Sequence, residues 1–383
     1  MGFTSQDNLI DEITSNGKYL RRDGSKLTTP VHTAGGWHLL FGLAGNPVAS
    51  TWPGTTLLWQ NCDENVGEGT NIAGILNGGA VSSDTKHILN VGASMVAAAG
   101  APWQAKLVDL QGYYKLTGTD VTGTSSRTLI NSNTFTASSS SGLLLTYTND
   151  FASGTKVRFT TSGTLPTGLS LATDYWLVRV SSTTARVATS YANYVAGTVV
   201  AYTDAGSGTH TMTIQMPRYA NGVGCQACFV VTTAPTGGGP NLTASSYTNT
   251  AGTASRAFQG SPTMGAAADA YAARVIHSGN AAGRYGPFLP LQGGDTGIAS
   301  IQSFTFSGGT AYTGSGALAL CIMRPLLDLP IPVTGMWSER DLVNQLPSLP
   351  QVQDGACLAW MLFGTGATTA NSPFTFAIDF GWG

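Results

Sequence analysis

Apolar residues in this chain come in short runs broken by Gly, Asn and Pro, and they rarely hold a helical spacing. Between Val31 and Lys115 the runs Trp37–Phe41, Leu57–Trp59 and Lys106–Leu110 carry aromatic and branched side chains and end at turn residues. That is the pattern of strands. From Thr117 to Gln215 the texture changes, and Ser and Thr supply more than a third of the residues. Strands are expected there at Leu143–Thr148, Lys156–Thr160, Tyr175–Val180, Ala185–Thr189, Thr198–Thr203 and Thr209–Gln215, a spacing that describes a small sandwich or barrel. Beyond it, Phe229–Thr232, Ser303–Phe306, Leu318–Met323, Cys357–Phe363 and Phe374–Phe380 read as further strands.

Helices are few. Residues 4–16 can form one, with Thr4 or Ser5 as cap, Asp7 facing the N-terminal dipole and Gly17 as the stop. Two more are expected, at Ala266–Ile276 and at Glu339–Leu346, the latter capped by Ser338 with Asp341 at N3. Five prolines between 325 and 350 (Pro325, Pro330, Pro332, Pro347, Pro350) are expected to interrupt regular structure at those points. The reading is a mainly β chain: an N-terminal arm at 1–30, a main β domain split into 31–116 and 216–383, and a β module inserted at 117–215. Both flanks of the insert are rich in Gly and Thr, as boundaries are.

Composition narrows the function. Of 383 residues, 10% are charged and 49 are Gly, against about 25% and about 7% in a typical soluble chain. A net charge of −2 leaves no electrostatic footprint for nucleic acid. With 42% hydrophobic residues the chain can bury a large core, and a surface of Ser, Thr, Asn and Gly carries little repulsion against association. The N-terminus lacks the apolar region of a signal peptide, and no run spans a bilayer, so synthesis in and release from a cytoplasm are expected. Lys18, Arg21, Arg22 and Lys26 stand out as four cations within nine residues. With Asp23-Gly24 between them they read as a solvated hairpin or as a basic docking arm. The closing Phe380-Gly381-Trp382-Gly383 reads as a terminus tucked into a core or an interface. Phe380 and Trp382 therefore join the four cations as candidate contact residues.

Catalytic signatures are weak. Gly168-Leu169-Ser170-Leu171-Ala172 lacks the last glycine of a nucleophile elbow and has no following helix. Gly222–Ala227 fits a dinucleotide fingerprint only in spelling. Cys225-x-x-Cys228 has no second pair to complete a zinc ribbon. Asp63, Glu64 and Glu68 are the one acidic group that could cleave a glycoside, and beside three glycines they read more simply as a solvated loop. No enzyme, cofactor or metal is expected.

Longer segments carry a resemblance. Thr155–Thr160, Leu165–Leu169, Thr173–Val178, Arg186–Thr189 and Asp204–Thr211 together resemble a module that recurs in tailed-bacteriophage virion proteins as an Ig-like β-sandwich decoration. Flanking segments (Pro30–Gly35, Asp84–His87, Tyr285–Gln292, Glu339–Pro347, Asp379–Gly383) look like one family of phage virion proteins. The resemblance implies a jelly-roll or β-sandwich main domain and a structural part in a particle. Two placements follow from it. One is a capsid decoration, cement or minor capsid protein, bound as a homotrimer to the major capsid protein on the head exterior. The other is a neck, baseplate or tail component whose module serves as spacer or adhesion tip. Weak contact of the module with host-surface glycans is a further expectation, and a membrane or specific nucleic-acid partner is not expected.

Overall fold

The computed structural model describes residues 2–28, 34–64, 74–81, 83–96, 102–121, 126–138, 144–236, 239–260, 272–276, 286–307 and 316–383. It opens with α1 (Gln6–Thr14), whose first turn is closed by the Ser5 hydroxyl accepting from the Asn8 N–H at 3.0 Å; Gly17 then takes φ +64° just past its end. Strands follow at β1 (Tyr19–Thr28), β2 (Gly36–Leu39), β3 (Gly45–Asn46), β4 (Trp59–Asn61), β5 (Lys86–Met95), β6 (Trp103–Thr117) and β7 (Ser126–Thr128). The Ser/Thr-rich region holds β8 (Ser132–Ser138), β9 (Leu144–Tyr147), β10 (Lys156–Thr161), β11 (Asp174–Ser181), β12 (Thr184–Ala188), the short α2 (Tyr191–Val195) and β13 (His210–Ile214). The remainder supplies β14 (Gln226–Thr233), β15 (Asn241–Asn249), β16 (Val275–Ile276), β17 (Ile298–Ser307), β18 (Ala317–Ile331), β19 (Ser338–Asp341), β20 (Gln351–Val352), β21 (Leu358–Gly364) and β22 (Ser372–Trp382).

The protein is mainly β, and its body is an antiparallel sandwich. One sheet runs β19-β5-β22-β1-β3, with β20 beside β5, and the other runs β16-β14-β18-β6-β21-β2, with β4 beside β6. Between them Val91, Met95, Phe374, Phe376 and Phe380 meet Leu107, Leu329, Trp360 and Leu362. The spine is the pair β6 and β18, fifteen residues each and in register from Trp103↔Ile331 to Thr117↔Ala317. One end of this ribbon faces the first sheet. The other end packs Leu116, Leu318 and Leu320 against Phe304 and Phe306 of a third sheet, β15-β17-β7, in a cluster continuous with the interior of the inserted module.

That module closes on itself as β10-β11-β12-β9-β8-β13. Of the two forms left open by the sequence, hydrogen bonding selects the barrel. Alternation drives it: along β8, Asn133, Phe135 and Ala137 are buried while Ser132, Thr134 and Thr136 face water, the period of two that a half-buried strand imposes. Phe159 sits at the centre, its ring 5.0 Å from Phe135 and 5.1 Å from Tyr175. The Thr198–Thr203 strand did not form, and β8 was missed in its place. β7, inside the expected insert at 117–215, pairs with β17 instead.

Three other expectations fail for identifiable reasons. Asp23-Gly24 is not a turn, because β1 runs straight through it, paired residue for residue with β22. Gly24 is required there by close packing: a Cβ would lie 2.3 Å from the Phe376 ring and 2.5 Å from the Asn46 carbonyl. The Glu339–Leu346 helix is replaced by β19, which pairs with β5, and by a 3-10 turn at Val343–Ser348. Pro325 and Pro330 do not stop β18. β14 pairs with β18 only as far as Met323, so beyond it a residue without an N–H meets no ladder on that edge among the described residues. The Ala266–Ile276 helix lies mostly outside the described residues, and its last two positions form β16.

Candidate docking face and cleft

The six candidate contact residues do not form an arm. Lys18 holds Glu12 and Asp84 at 2.9 Å each. Its hydrogen bonds to Asp84 and then Glu12 raise its pKa, and the Lys18 bond lowers that of Glu12. Arg22 donates from Nε to the Leu76 carbonyl at 3.1 Å. Lys26 is buried, and its Nζ donates to the carbonyls of Leu43, Pro47 and Val48 at 3.1, 2.7 and 3.3 Å. Burial pushes its pKa down to about 8. Phe380 is wholly enclosed between the two sheets. Trp382 is half-buried, and its N–H donates to the Lys18 carbonyl at 3.3 Å. Lys26 and Phe380 are thus withdrawn from any partner, while Arg21 stays exposed.

Arg21 belongs to a polar ladder crossing the outer face of the first sheet. Its guanidinium reaches Asp23 at 3.1 Å and Asp379 at 3.5 Å. Asp379 also accepts from the Tyr19 hydroxyl at 2.7 Å and from the Asn90 amide at 3.2 Å, and Asn90 donates onward to Glu339 at 2.6 Å. The ladder therefore draws on β1, β22, β5 and β19. The end of β5 and the loop between β18 and β19 carry four exposed side chains that sequence reasoning missed: Val96, Val333, Met336 and Trp337, which are 49%, 53%, 60% and 46% exposed. Gly335 donates its N–H to the Met95 carbonyl at 2.8 Å, fixing this loop to the end of β5. The Trp337 ring lies over Gly92, where a Cβ would meet it at 2.4 Å. Neighbouring apolar side chains left in water mark interaction surfaces, and Trp, Met and Arg are the types enriched at interfaces. The sequence signal was there: Met336-Trp337 in a proline-rich stretch that no regular element explains.

A second feature is a cleft of about 340 Å³ where the barrel meets the body. Lys156 and Trp176, cross-strand partners on β10 and β11, line it from the barrel with Tyr191. Asp84–Lys86, Pro217–Ala220 and Gln351–Asp354 line it from the other side. Lys156 is held by Asp174 at 2.8 Å and lies 5.2 Å from the Trp176 ring centroid. Below the cleft a buried ion pair anchors the chain as it leaves the barrel. Arg218 binds both carboxylate oxygens of Asp109 at 3.0 and 2.8 Å and donates to the Cys62 and Leu110 carbonyls. Burial opposes the Arg218 charge, and the Asp109 carboxylate more than offsets this, so its pKa stays above the ordinary value.

The acidic loop is not solvated where it is described. Asp63 and Glu64 are both buried. Asn61 donates to Asp63 at 3.2 Å, and the Asn77 N–H donates to Glu64 at 3.0 Å. Glu68 lies outside the described residues. Cys225 and Cys228 are fully buried. Among the described residues no group of three or more His, Cys, Asp or Glu is placed to hold a metal ion. No helix among them is long and apolar enough to cross a membrane.

No protein family matches this sequence, and no curated protein matches it. Among solved structures, infectious bursal disease virus of the Gx and Gt strains is similar over 95% of this chain and 81% of that one, at 10% identity and a TM-score of 0.16. The T13 particle of the same virus is similar over 79% and 78%, at 11% identity and the same TM-score. At that score the likeness carries no conclusion about fold or function.

Proposed function

We propose that this chain is a structural, non-catalytic component of a tailed-phage virion. In this reading it is a capsid decoration or cement protein, bound as a homotrimer to the major capsid protein on the head exterior. The observation that carries the assembly role is the group of exposed apolar side chains at the end of β5 and in the loop before β19 (Val96, Val333, Met336 and Trp337), on the sheet that also carries the Arg21–Asp379–Asn90–Glu339 ladder. An apolar centre with a hydrogen-bonding margin is the anatomy of a protein interface. Further support comes from the segments that resemble the virion module. Those around Thr155–Thr160, Thr173–Val178, Arg186–Thr189 and Thr209–Thr211 fall on β10, β11, β12 and β13, which are neighbours in one closed barrel. A closed barrel exposes no strand edge and can project from a shell without pairing to its neighbours.

The test is copy number in purified particles, by quantitative mass spectrometry against the major shell protein. Dozens to hundreds of copies support the decoration role. A single ring's worth overturns it and favours a neck, baseplate or tail position. The cleft under the barrel gives that second reading its own support, since Trp176, Tyr191 and Gln351 could engage a small polar ligand such as a surface glycan. Loss of adsorption on Trp176→Ala, with particle assembly intact, would decide for it.

A further inference from the structure

All five cysteines are free thiols, and all are buried. Two of them, 295 positions apart in sequence, are brought face to face. β4 and β21 lie end to end along the same edge of β6: Asn61 is the partner of Gly112, and Leu358 is the partner of Asp109. In the gap between them the Cys62 N–H donates to the Gln111 carbonyl at 3.1 Å, and the Leu110 N–H donates to the Cys357 carbonyl at 2.9 Å. One segment then leaves the sheet where the other enters it. They run past each other in opposite directions, with the Glu64 N–H donating to the Gly355 carbonyl at 3.3 Å. Antiparallel counting from that bond, two residues back on one segment and two forward on the other, sets Cys62 opposite Cys357. Both side chains belong to one apolar cluster with Tyr113 and Cys321.

We propose that Cys62 and Cys357 are a cross-linking site, a thiol pair that closes to a disulfide when the folded chain meets a small disulfide oxidant. Opposed positions on antiparallel segments meet the short separation a disulfide needs. These two sit at strand ends, where the backbone can adjust to the bond's torsion. Cys228 and Cys321 are also partners, but they are fixed in mid-ladder between β14 and β18. In the reaction one thiolate attacks the oxidant's sulfur and expels a thiolate. The second cysteine then displaces the other half, so one disulfide is consumed, two small thiols are released, and the two cysteine protons end on them. Burial first, and the Cys357 thiol second, push the Cys62 pKa well up. The site therefore reacts slowly at neutral pH. If the virion reading holds, the bond forms after release and fastens the facing ends of the two strands that share one edge of β6; the cross-link itself does not depend on that reading.

The test incubates the folded full-length chain with bis(2-hydroxyethyl) disulfide at pH 8, in urea just below the unfolding transition, followed by intact-mass and peptide analysis. The expected product is lighter by about 2 Da, carries one linkage between the Cys62 and Cys357 peptides, and melts at a higher temperature than the reduced chain. Cys228→Ser should still form it, and Cys62→Ser and Cys357→Ser should not. A stable mercaptoethanol adduct at either cysteine, a Cys228–Cys321 linkage, or five thiols still reduced would each overturn the proposal. The wild-type peptide map decides the matter even if a variant fails to fold.

Discussion

The barrel keeps its ions at the surface, whereas the body also carries ions inside. Barrel ions sit outside, on strand faces open to water: Asp174 takes Lys156 and Arg158 at 2.8 and 2.6 Å, and Arg179 takes Asp150 at 2.6 Å. The body has surface pairs too, such as Lys18–Glu12 and Arg21–Asp23, but it also buries ions. Arg218–Asp109 is almost fully enclosed, Lys86 donates to Asn77 at 2.7 Å from a buried position, and Lys26 is caged by carbonyls. Closure explains the difference. A closed barrel satisfies its backbone from within and needs only an apolar filling. The open sandwich must instead bind irregular crossings such as 43–48 and 215–220 to its sheets, and buried cations do this by gathering several carbonyls at once. Buried charge of this kind costs desolvation that only complete pairing offsets, so the body should be brittle where the barrel is tolerant.

The hardest test of that contrast is Arg218→Met. It leaves the Asp109 carboxylate buried and unpaired, and should cost about 3–5 kcal/mol in chemical denaturation. A loss below about 1 kcal/mol would mean the pair is not holding the junction. Next come matched truncations of one aromatic in each region, Phe380→Ala and Phe159→Ala, each expected to cost about 3–5 kcal/mol. Hydrogen exchange should quicken chiefly in β5 and β22 for the first and in β8 to β13 for the second. Equal quickening everywhere would show a single cooperative unit and remove the comparison. Lys26 gives a third, pH-dependent effect. Its folded pKa of about 8 lies below the unfolded value of about 10.4, so between these the unfolded chain binds more protons and stability rises with pH. The contribution is lost as pH falls through about 8. Denaturation midpoints of wild type minus Lys26→Met should therefore climb from pH 7.5 to pH 10, on the order of the shift itself; a flat difference would refute it. The smallest effect is expected for Arg179→Ala on the barrel surface, about 0.2–1 kcal/mol and fading with added salt.

What could be read from the sequence was whatever local chemistry decides. The Ser5 cap and the Gly17 stop need only neighbours in sequence, and α1 formed as expected. The barrel strands carry their alternation with them, so Lys156–Thr160 and Tyr175–Val180 came out within a residue or two. β8 has the same alternation, hidden because its buried set is Asn133, Phe135 and Ala137, with only one large apolar member. Failures fell where a distant strand overrides local preference. Asp23-Gly24 is a good turn until β22 pairs along the whole of β1, and Ser338–Asp341 is a good helix start until β5 offers a ladder. Among the candidate contact residues, Arg21 could be singled out by its charge, whereas Lys26 and Phe380 could not be known to point inward without the register. Trp337 and Met336 were passed over because exposure of an apolar side chain is decided by what fails to cover it.

The pairing of β1 with β22 also bears on how the chain is made. β22 is not at the margin of its sheet: it separates β1 from β5, so neither can complete its hydrogen bonding without it. Arg21 and Asp379, opposite each other in that ladder, are 358 positions apart. At about 5–20 residues per second on the ribosome, β1 waits roughly 20–70 s for its partner to emerge. Through that interval the first sheet does not exist, while the barrel, whose strands lie between Ser132 and Ile214, can already close. Synthesis thus delivers the barrel early and the first sheet late. A chain cut off short of Ser372 would lack the finished first sheet and its outer face, a length check performed by the order of translation.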